Sequence, residues 1–225
     1  MIKLAIFDCD GTLVDSAHTI HAALSDTFAH HGRPVPPQGE AKRVVGLSLH
    51  EAMAALAPEA EEAEHAALAD TYREVFVGMR ARGCVEEPLF PGIPELLDTL
   101  AADGWLLAVA TGKSDRGLSH CLDSHGLHDR FISLQTADRH PSKPHPGMAL
   151  TAMRDAGAEP GHSVVIGDTA WDMGMARAAG AGAIGVLWGY HDRAELLAGG
   201  AQVMAAAPGE VATLAEQLVG GGVHG

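Results

Sequence analysis

Asp8 and Asp10 stand one residue apart, directly after an apolar run from Met1 to Phe7 that only Lys3 interrupts. A carboxylate can attack phosphorus and carry the phosphoryl group as an aspartyl-phosphate. A second carboxylate two residues on can reach the same group, protonate the leaving oxygen and later activate water. Two such neighbours repel each other, so they need a cation between them. Asp168 offers a third carboxylate, and a set of hard oxygen ligands of this kind suits Mg²⁺. Asp8, Asp10 and Asp168 are therefore candidate metal ligands. Asp172 lies one helical turn beyond Asp168 and is assigned a supporting place, behind the ligands or through water. Thr111 offers a hydroxyl, and Gly112 lets backbone N–H groups approach a phosphoryl oxygen. Lys143 supplies a point charge against developing negative charge.

Each of these residues alone has an ordinary explanation. Asp15 or Ser16 can cap a helix, Thr111-Gly112 can be a turn, Lys143 can be a solvated lysine, and Asp168 to Asp172 can be a capped helix start. Their common position argues otherwise. The opening run reads as a short, fully buried strand. Strands are also predicted at Trp105 to Ala110, Phe131 to Leu134, Ser163 to Ile166, Ala183 to Val186 and Gln202 to Met204. Helices are predicted between them, at Pro94 to Asp103, Asp115 to His125, Pro144 to Ala156, Ala170 to Ala179 and near Ala194, with a last one at Gly209 to Leu218. This alternation predicts an α/β fold, a doubly wound parallel sheet with a Rossmann-like core. In such sheets the ligand crevice lies beyond the carboxyl ends of the strands. Asp8 and Asp10, Thr111 and Gly112, Lys143, and Asp168 all follow predicted strands and so share one rim.

Between Val14 and Val85 there is no strand signal. Helices are predicted from Ala17 to His30, in short pieces through Lys42 to Gly46 and Ser48 to Leu56, and from Glu59 to Met79. The expected organisation is a core of residues 1–14 and 88–225 with an inserted all-helical unit of residues 15–87. Val14 to Ala17 and Glu86 to Gly92 would be its hinges. Within it, Lys42 to Ser48 combines cations, a glycine turn and a hydroxyl. Arg43 can meet a second anionic group on a ligand, or pack against the acidic stretch at Glu61 and Glu62. His18/His21 and His30/His31 read as solvated helix faces rather than metal ligands. His140 and His145 flank Lys143 and could touch a ligand, but read first as a surface loop, and Trp171 and Trp188 read as packing residues.

The formal charge of −14 argues against a nucleic-acid partner, which needs clustered Lys and Arg. It leaves a small anionic ligand open, because a metal and two local cations outweigh the global field at short range. Cys9, Cys84 and Cys121 are odd in number and lack metal-ligand spacing, so neither a disulfide framework nor a zinc site is expected. No run reaches membrane-spanning length and no basic-then-apolar leader opens the chain, so a cytoplasmic location and no membrane partner are expected. Gly220-Gly221-Gly222 reads as a frayed tail.

Asp8-Cys9-Asp10-Gly11-Thr12, Thr111-Gly112-Lys113, Lys143-Pro144 and Gly167-Asp168-Thr169-Ala170-Trp171-Asp172 resemble, in order, the signature motifs of the haloacid dehalogenase-like hydrolase superfamily. The helical insertion resembles the small cap of its phosphoglycolate phosphatase-like subgroup. The resemblance implies a Mg²⁺-dependent phosphomonoester hydrolase. Asp8 would be the nucleophile and Asp10 the acid/base, whose backbone carbonyl also reaches the metal. Thr111 and Lys143 would hold the phosphoryl group, Asp168 would bind metal, and Asp172 would support it. Dehalogenases of the superfamily lack the second acid, so Asp10 argues against that activity. Its phosphonatases replace that acid with a small residue, and its sugar phosphomutases often carry Val where this chain has Thr12. The substrate would be a small phosphorylated metabolite chosen by the cap, with phosphoglycolate first. A pyrophosphatase or a broad sugar-phosphate phosphatase is the alternative, ahead of a phosphomutase or a non-enzymatic phosphoacceptor domain. Oligomeric state is left open.

Overall fold

The computed structural model describes residues 1–220; the glycines at 221 and 222 of the expected tail lie outside it. The chain opens on β1 (Lys3–Phe7) and runs through four helices, α1 (Ala17–His30), α2 (Gln38–Arg43), α3 (Leu49–Leu56) and α4 (Glu62–Ala81). It then alternates: α5 (Ile93–Ala102), β2 (Trp105–Thr111), α6 (Asp115–Ser124), β3 (Ser133–Thr136), α7 (Gly147–Ala156) and β4 (Ser163–Gly167). The last elements are α8 (Ala170–Ala179), β5 (Gly182–Val186), α9 (Arg193–Gly199), β6 (Val203–Ala205) and α10 (Pro208–Gly220). Every strand pairing is parallel, in the order β3-β2-β1-β4-β5-β6. The expected doubly wound sheet is therefore present. Strand order reverses at β1, which puts the crevice at the ends of β1 and β4.

β1 is buried on both faces, which is why it carries no polar alternation. Ala5 and Phe7 point into a core with Leu97, Leu118 and Val211, while Leu4 and Ile6 point into one with Met148, Met153 and Met175. The four inserted helices bury a third core of their own around Leu24, Phe28, Met53 and Leu68. Their two connections to the sheet run side by side. Asp15 N–H donates to Pro88 O at 2.8 Å, Phe90 N–H donates to Leu13 O at 3.0 Å, and Val14 bridges Leu89. Among the described residues no helix is long and apolar enough to cross a membrane.

Local chemistry moves several boundaries. α7 starts at Gly147 rather than near Pro144, because Pro144 and Pro146 bias Lys143 and His145 away from the helical region. The piece expected through Gly46 stops at Arg43, and Gly46 takes a left-handed φ of 92°. α4 begins at Glu62, three residues late, with Glu59 in the preceding turn paired to Arg33. Neither expected cap of α1 is a full one. Ser16 occupies the cap position without a side-chain cap bond, and Asp15 accepts only a long 3.3 Å bond from Ala17 N–H. The Ser16 hydroxyl is used elsewhere.

Candidate active site

The chain leaves β1 at Asp8, whose N–H still bonds Ile166 O at 2.9 Å, so its backbone is fixed by the sheet. Its side chain is 1% exposed. Oδ1 accepts from Cys9 N–H at 2.6 Å and lies 2.9 Å from Lys143 Nζ. Oδ2 is buried with no hydrogen-bond partner among the described residues. Burial raises the Asp8 pKa to about 7, with Lys143 opposing the rise and Asp172 and Asp10 adding to it. The position of a β-carbon on Gly46 lies 3.6 Å from Oδ2, so the loop after α2 covers this oxygen.

Lys143 is fully buried between Asp8 and Asp172, 2.6 Å from Asp172 Oδ1. Burial alone would lower its pKa, but these two carboxylates hold it above the ordinary lysine value. Asp172 is fixed in turn by the start of α8. Its Oδ2 accepts from the Thr169 hydroxyl at 2.6 Å and from Thr169 N–H at 3.1 Å, closing a capping box. Asp168 follows β4. It accepts from the Thr12 hydroxyl at 2.9 Å and from Tyr190 N–H at 2.9 Å. Its pKa stands well above the usual carboxylate value, from burial first and then from Asp8 and Asp172. Gly11, at φ 79°, must lack a side chain because a β-carbon there would collide with the Asp168 carboxylate.

Ligand atoms of Asp8, Asp168 and Asp172 all lie within 4.8 Å of one another. Three buried carboxylates face one ammonium, which leaves negative charge uncompensated. This donor set, three buried carboxylates around one lysine, fits a hard divalent cation. Asp172 is the poorest ligand of the three, since both its oxygens already accept strong bonds from Lys143 and Thr169. That suits the supporting place expected for it.

The carboxylate of Asp10 stands apart from this cluster. Its Oδ1 accepts from the Ser16 hydroxyl and lies 2.9 Å from Lys113 Nζ. Lys113 also meets Glu87 Oε1 at 2.5 Å, with all three side chains under a tenth exposed. Burial works against the charge on Lys113, but Asp10 and Glu87 hold its pKa well above the ordinary value. Ser16, Lys113 and Glu87 were not among the expected site residues. Lys113 adjoins Gly112 in the motif, whereas Ser16 and Glu87 carry no chemical signal beyond lying in the two expected hinges.

Thr111 ends β2, and its hydroxyl accepts from Lys113 N–H at 3.2 Å. Gly112 lies directly under the inserted loop, where a β-carbon would strike Leu47 O and Gly46 O. The same loop is tied to the core by Ser48 N–H to the Ser142 hydroxyl at 2.8 Å and by Trp171 Nε1 to Arg43 O at 3.2 Å. Trp171 thus joins insertion to core, while Trp188 packs on the core and donates to Thr12 O. The Arg43 side chain turns outward. It is 68% exposed, meets Glu195 Oε1 at 3.2 Å, and pairs with neither Glu61 nor Glu62. His140 is held by Gln135 Oε1 at 2.7 Å, and burial lowers its pKa.

A cavity of about 870 Å³ opens from Asp10, Gly112 and Lys113 toward the inserted helices. Ile20 and Leu24 of α1, Met53 of α3 and Tyr72 and Phe76 of α4 line its far side. Arg43 does not line it.

Four strand ends and a helical cover thus define a hydrolase-type crevice built on carboxylates and one lysine. Residues 5–186 match the family described as haloacid dehalogenase-like hydrolase, and the chain belongs to that family. A protein of Dickeya dadantii named "Probable phosphatase IndB" is 37% identical over 97% of this chain and 96% of its own length. An Agrobacterium fabrum protein named phosphoglycolate phosphatase is 32% identical, covering 84% of this chain and 82% of its own. A solved haloacid dehalogenase-like hydrolase from Streptococcus pneumoniae superposes with a TM-score of 0.82 at 28% identity, over 95% of this chain and 98% of that one.

Proposed function

We propose that this chain is a Mg²⁺-dependent phosphomonoester hydrolase working through an aspartyl-phosphate on Asp8. The observation that carries the reading is Asp8 Oδ2, a buried carboxylate oxygen with no partner among the described residues, held in place by a fully buried lysine on the opposite oxygen. Phosphatase names among the relatives support the same reading.

In the first step Asp8 Oδ2 attacks phosphorus and the bond to the ester oxygen breaks. Asp10 gives its proton to that oxygen, and the alcohol leaves. In the second step Asp10 takes a proton from water as the water oxygen attacks phosphorus. The bond to Asp8 breaks, releasing inorganic phosphate and free carboxylate. Lys143 keeps one Asp8 oxygen occupied and faces the charge that builds on the phosphoryl oxygens, and Thr111 and Gly112 line the same rim. Asp8, Asp168 and the backbone carbonyl of Asp10 would hold Mg²⁺, which would neutralise phosphoryl charge and relieve the repulsion among the carboxylates. Asp172 orients Lys143. Residues 15–87 act as the cap, hinged where Asp15 and Phe90 bond across the two connections. The cap loop must lift from Gly112 and Asp8 to admit a phosphoryl group, and its return excludes bulk water.

The substrate is a small phosphorylated metabolite, and the relative named phosphoglycolate phosphatase makes phosphoglycolate the reference compound. The test is phosphate release from p-nitrophenyl phosphate and a panel of phosphorylated metabolites, with and without Mg²⁺. Release that needs Mg²⁺ and vanishes in Asp8→Asn is the expected result. A single stable phosphorylation without turnover would make the chain a phosphoacceptor domain instead.

A further inference from the structure

A two-carbon carboxylated alcohol such as glycolate needs little room and one free cation. The cavity beyond Asp10 is far larger than that, and of its lysines and arginines only the exposed Arg116 has no ion-pair partner among the described residues. Its volume of about 870 Å³ lies within the range that buries most of a drug-sized ligand. It continues directly from the catalytic rim, because Asp10, Gly112 and Lys113 line it as well. A leaving alcohol protonated by Asp10 therefore extends into it.

The wall it meets is mostly carbon. Ile20, Leu24, Met53 and Phe76 face the space, with Val77 beside them. Tyr72 and Phe76 stand one turn apart on α4 with ring centroids 5.8 Å apart and a tilt of 32°, forming an aromatic panel. Three of the four lysines and arginines in the wall are already engaged. Lys113 sits between Asp10 and Glu87, Arg80 reaches Glu87 at 3.3 Å and lies over the Phe76 ring, and Arg73 pairs with Asp70 at 2.6 Å. Arg116, on α6, is exposed. A ligand carboxylate would have to displace an existing partner or stay at the outer edge. Tyr72 also lines the cavity, so its hydroxyl offers the panel one polar contact.

We propose that the preferred substrate is a phosphomonoester whose alcohol carries a flat, largely apolar ring, which stacks on Tyr72 and Phe76 and offers a polar atom to the Tyr72 hydroxyl. This rests on the phosphomonoesterase reading and narrows its substrate class.

The experiment compares kcat/KM for ethyl phosphate, phosphoglycolate, benzyl phosphate and 2-phenylethyl phosphate, all esters of unactivated alcohols, on the wild-type protein with Mg²⁺. Burying one ring is expected to favour 2-phenylethyl phosphate by at least about tenfold over both short esters. Phe76→Ala is expected to cut the 2-phenylethyl to ethyl ratio about tenfold, and Phe76→Leu by less. Phosphoglycolate turned over as well as or better than the ring esters would overturn the proposal while leaving a working phosphatase. Equal losses on every ester in Phe76→Ala would also overturn it, because the ring would then serve only the fold. Absence of phosphate release from all four esters would instead remove the phosphatase reading, and this proposal with it.

Discussion

At the Asp8 end of the crevice, four charged side chains are buried and all but one of their oxygens has a partner among the described residues. At the Phe76 end, the wall is mostly carbon, and Lys113 and Arg80 beside it are both paired with Glu87. The first end is built from strand ends, whose backbone the sheet fixes. The second is built from helices with a core of their own. A side chain on α4 can therefore change without disturbing β1 or β4. Such a division separates reaction from choice of substrate, so the chemistry can stay constant while the leaving group varies.

The sharpest way to break that contrast is at Asp8. Asp8→Asn removes the attacking oxygen and is expected to lower phosphate release at least about a thousandfold on every ester, ring-bearing or not. Lys143 keeps Asp172 as a partner, so the fold should survive, and a thermal melt checks this. Residual turnover near the wild-type rate would mean that Asp8 is not the nucleophile.

Lys143→Met tests the charge balance itself. Three buried carboxylates would then face no protein cation, and breaking a buried pair in this way costs about 3–5 kcal/mol. The melting temperature should fall, and added Mg²⁺ should restore part of the loss by binding the folded state. A melt unaffected by Mg²⁺, in this variant and in the wild type, would argue against a cation site among Asp8, Asp168 and Asp172.

The border between the two ends is Lys113, which spans Asp10 on the core and Glu87 on the return connection. Lys113→Met would leave two buried carboxylates opposed and free Asp10 to drift. We expect kcat to fall about 10- to 100-fold for all esters, less than the roughly 10²–10⁴-fold a general acid/base group contributes, because Asp10 itself remains. The loss should be the same for ethyl and 2-phenylethyl phosphate. A selective loss on the ring ester would move Lys113 from the chemistry to the leaving-group wall.

The same division explains what the sequence made legible. A strand end followed by a carboxylate or a hydroxyl is a local pattern, so Asp8, Thr111 and Asp168 could be placed on one rim from spacing and alternation alone. The parallel, doubly wound sheet followed from strand and helix alternation, but its strand order did not. The Lys113–Glu87 pair joins residues 26 apart through a fold that no local pattern encodes. Ser16 was legible as a helix cap because the cap and Asp10 compete for one hydroxyl, and only the turn after Gly11 decides the winner. Tyr72 and Phe76 sit in the Ala-rich helix α4, one turn apart. Nothing in their spacing says that the facing surface is a cavity.

Arg43 is the smallest expected effect and the one that most tests the role of the cap loop. Its sequence context, between Lys42 and a glycine turn, made it the natural partner for a second anionic group on the substrate. The side chain instead lies outside the cavity, paired with Glu195 on α9. What the loop contributes at this residue is backbone: the carbonyl of Arg43 accepts from Trp171 Nε1 and meets His191 Nε2, each at 3.2 Å. An exposed pair of this kind is worth about 0–1 kcal/mol. Arg43→Ala keeps both backbone contacts, so KM for phosphoglycolate and for 2-phenylethyl phosphate should each change by less than about threefold, in step with one another. A rise in KM confined to phosphoglycolate would show that Arg43 swings inward when the cap closes on an anionic substrate, and the leaving-group end would then hold a cation that its apolar wall does not suggest.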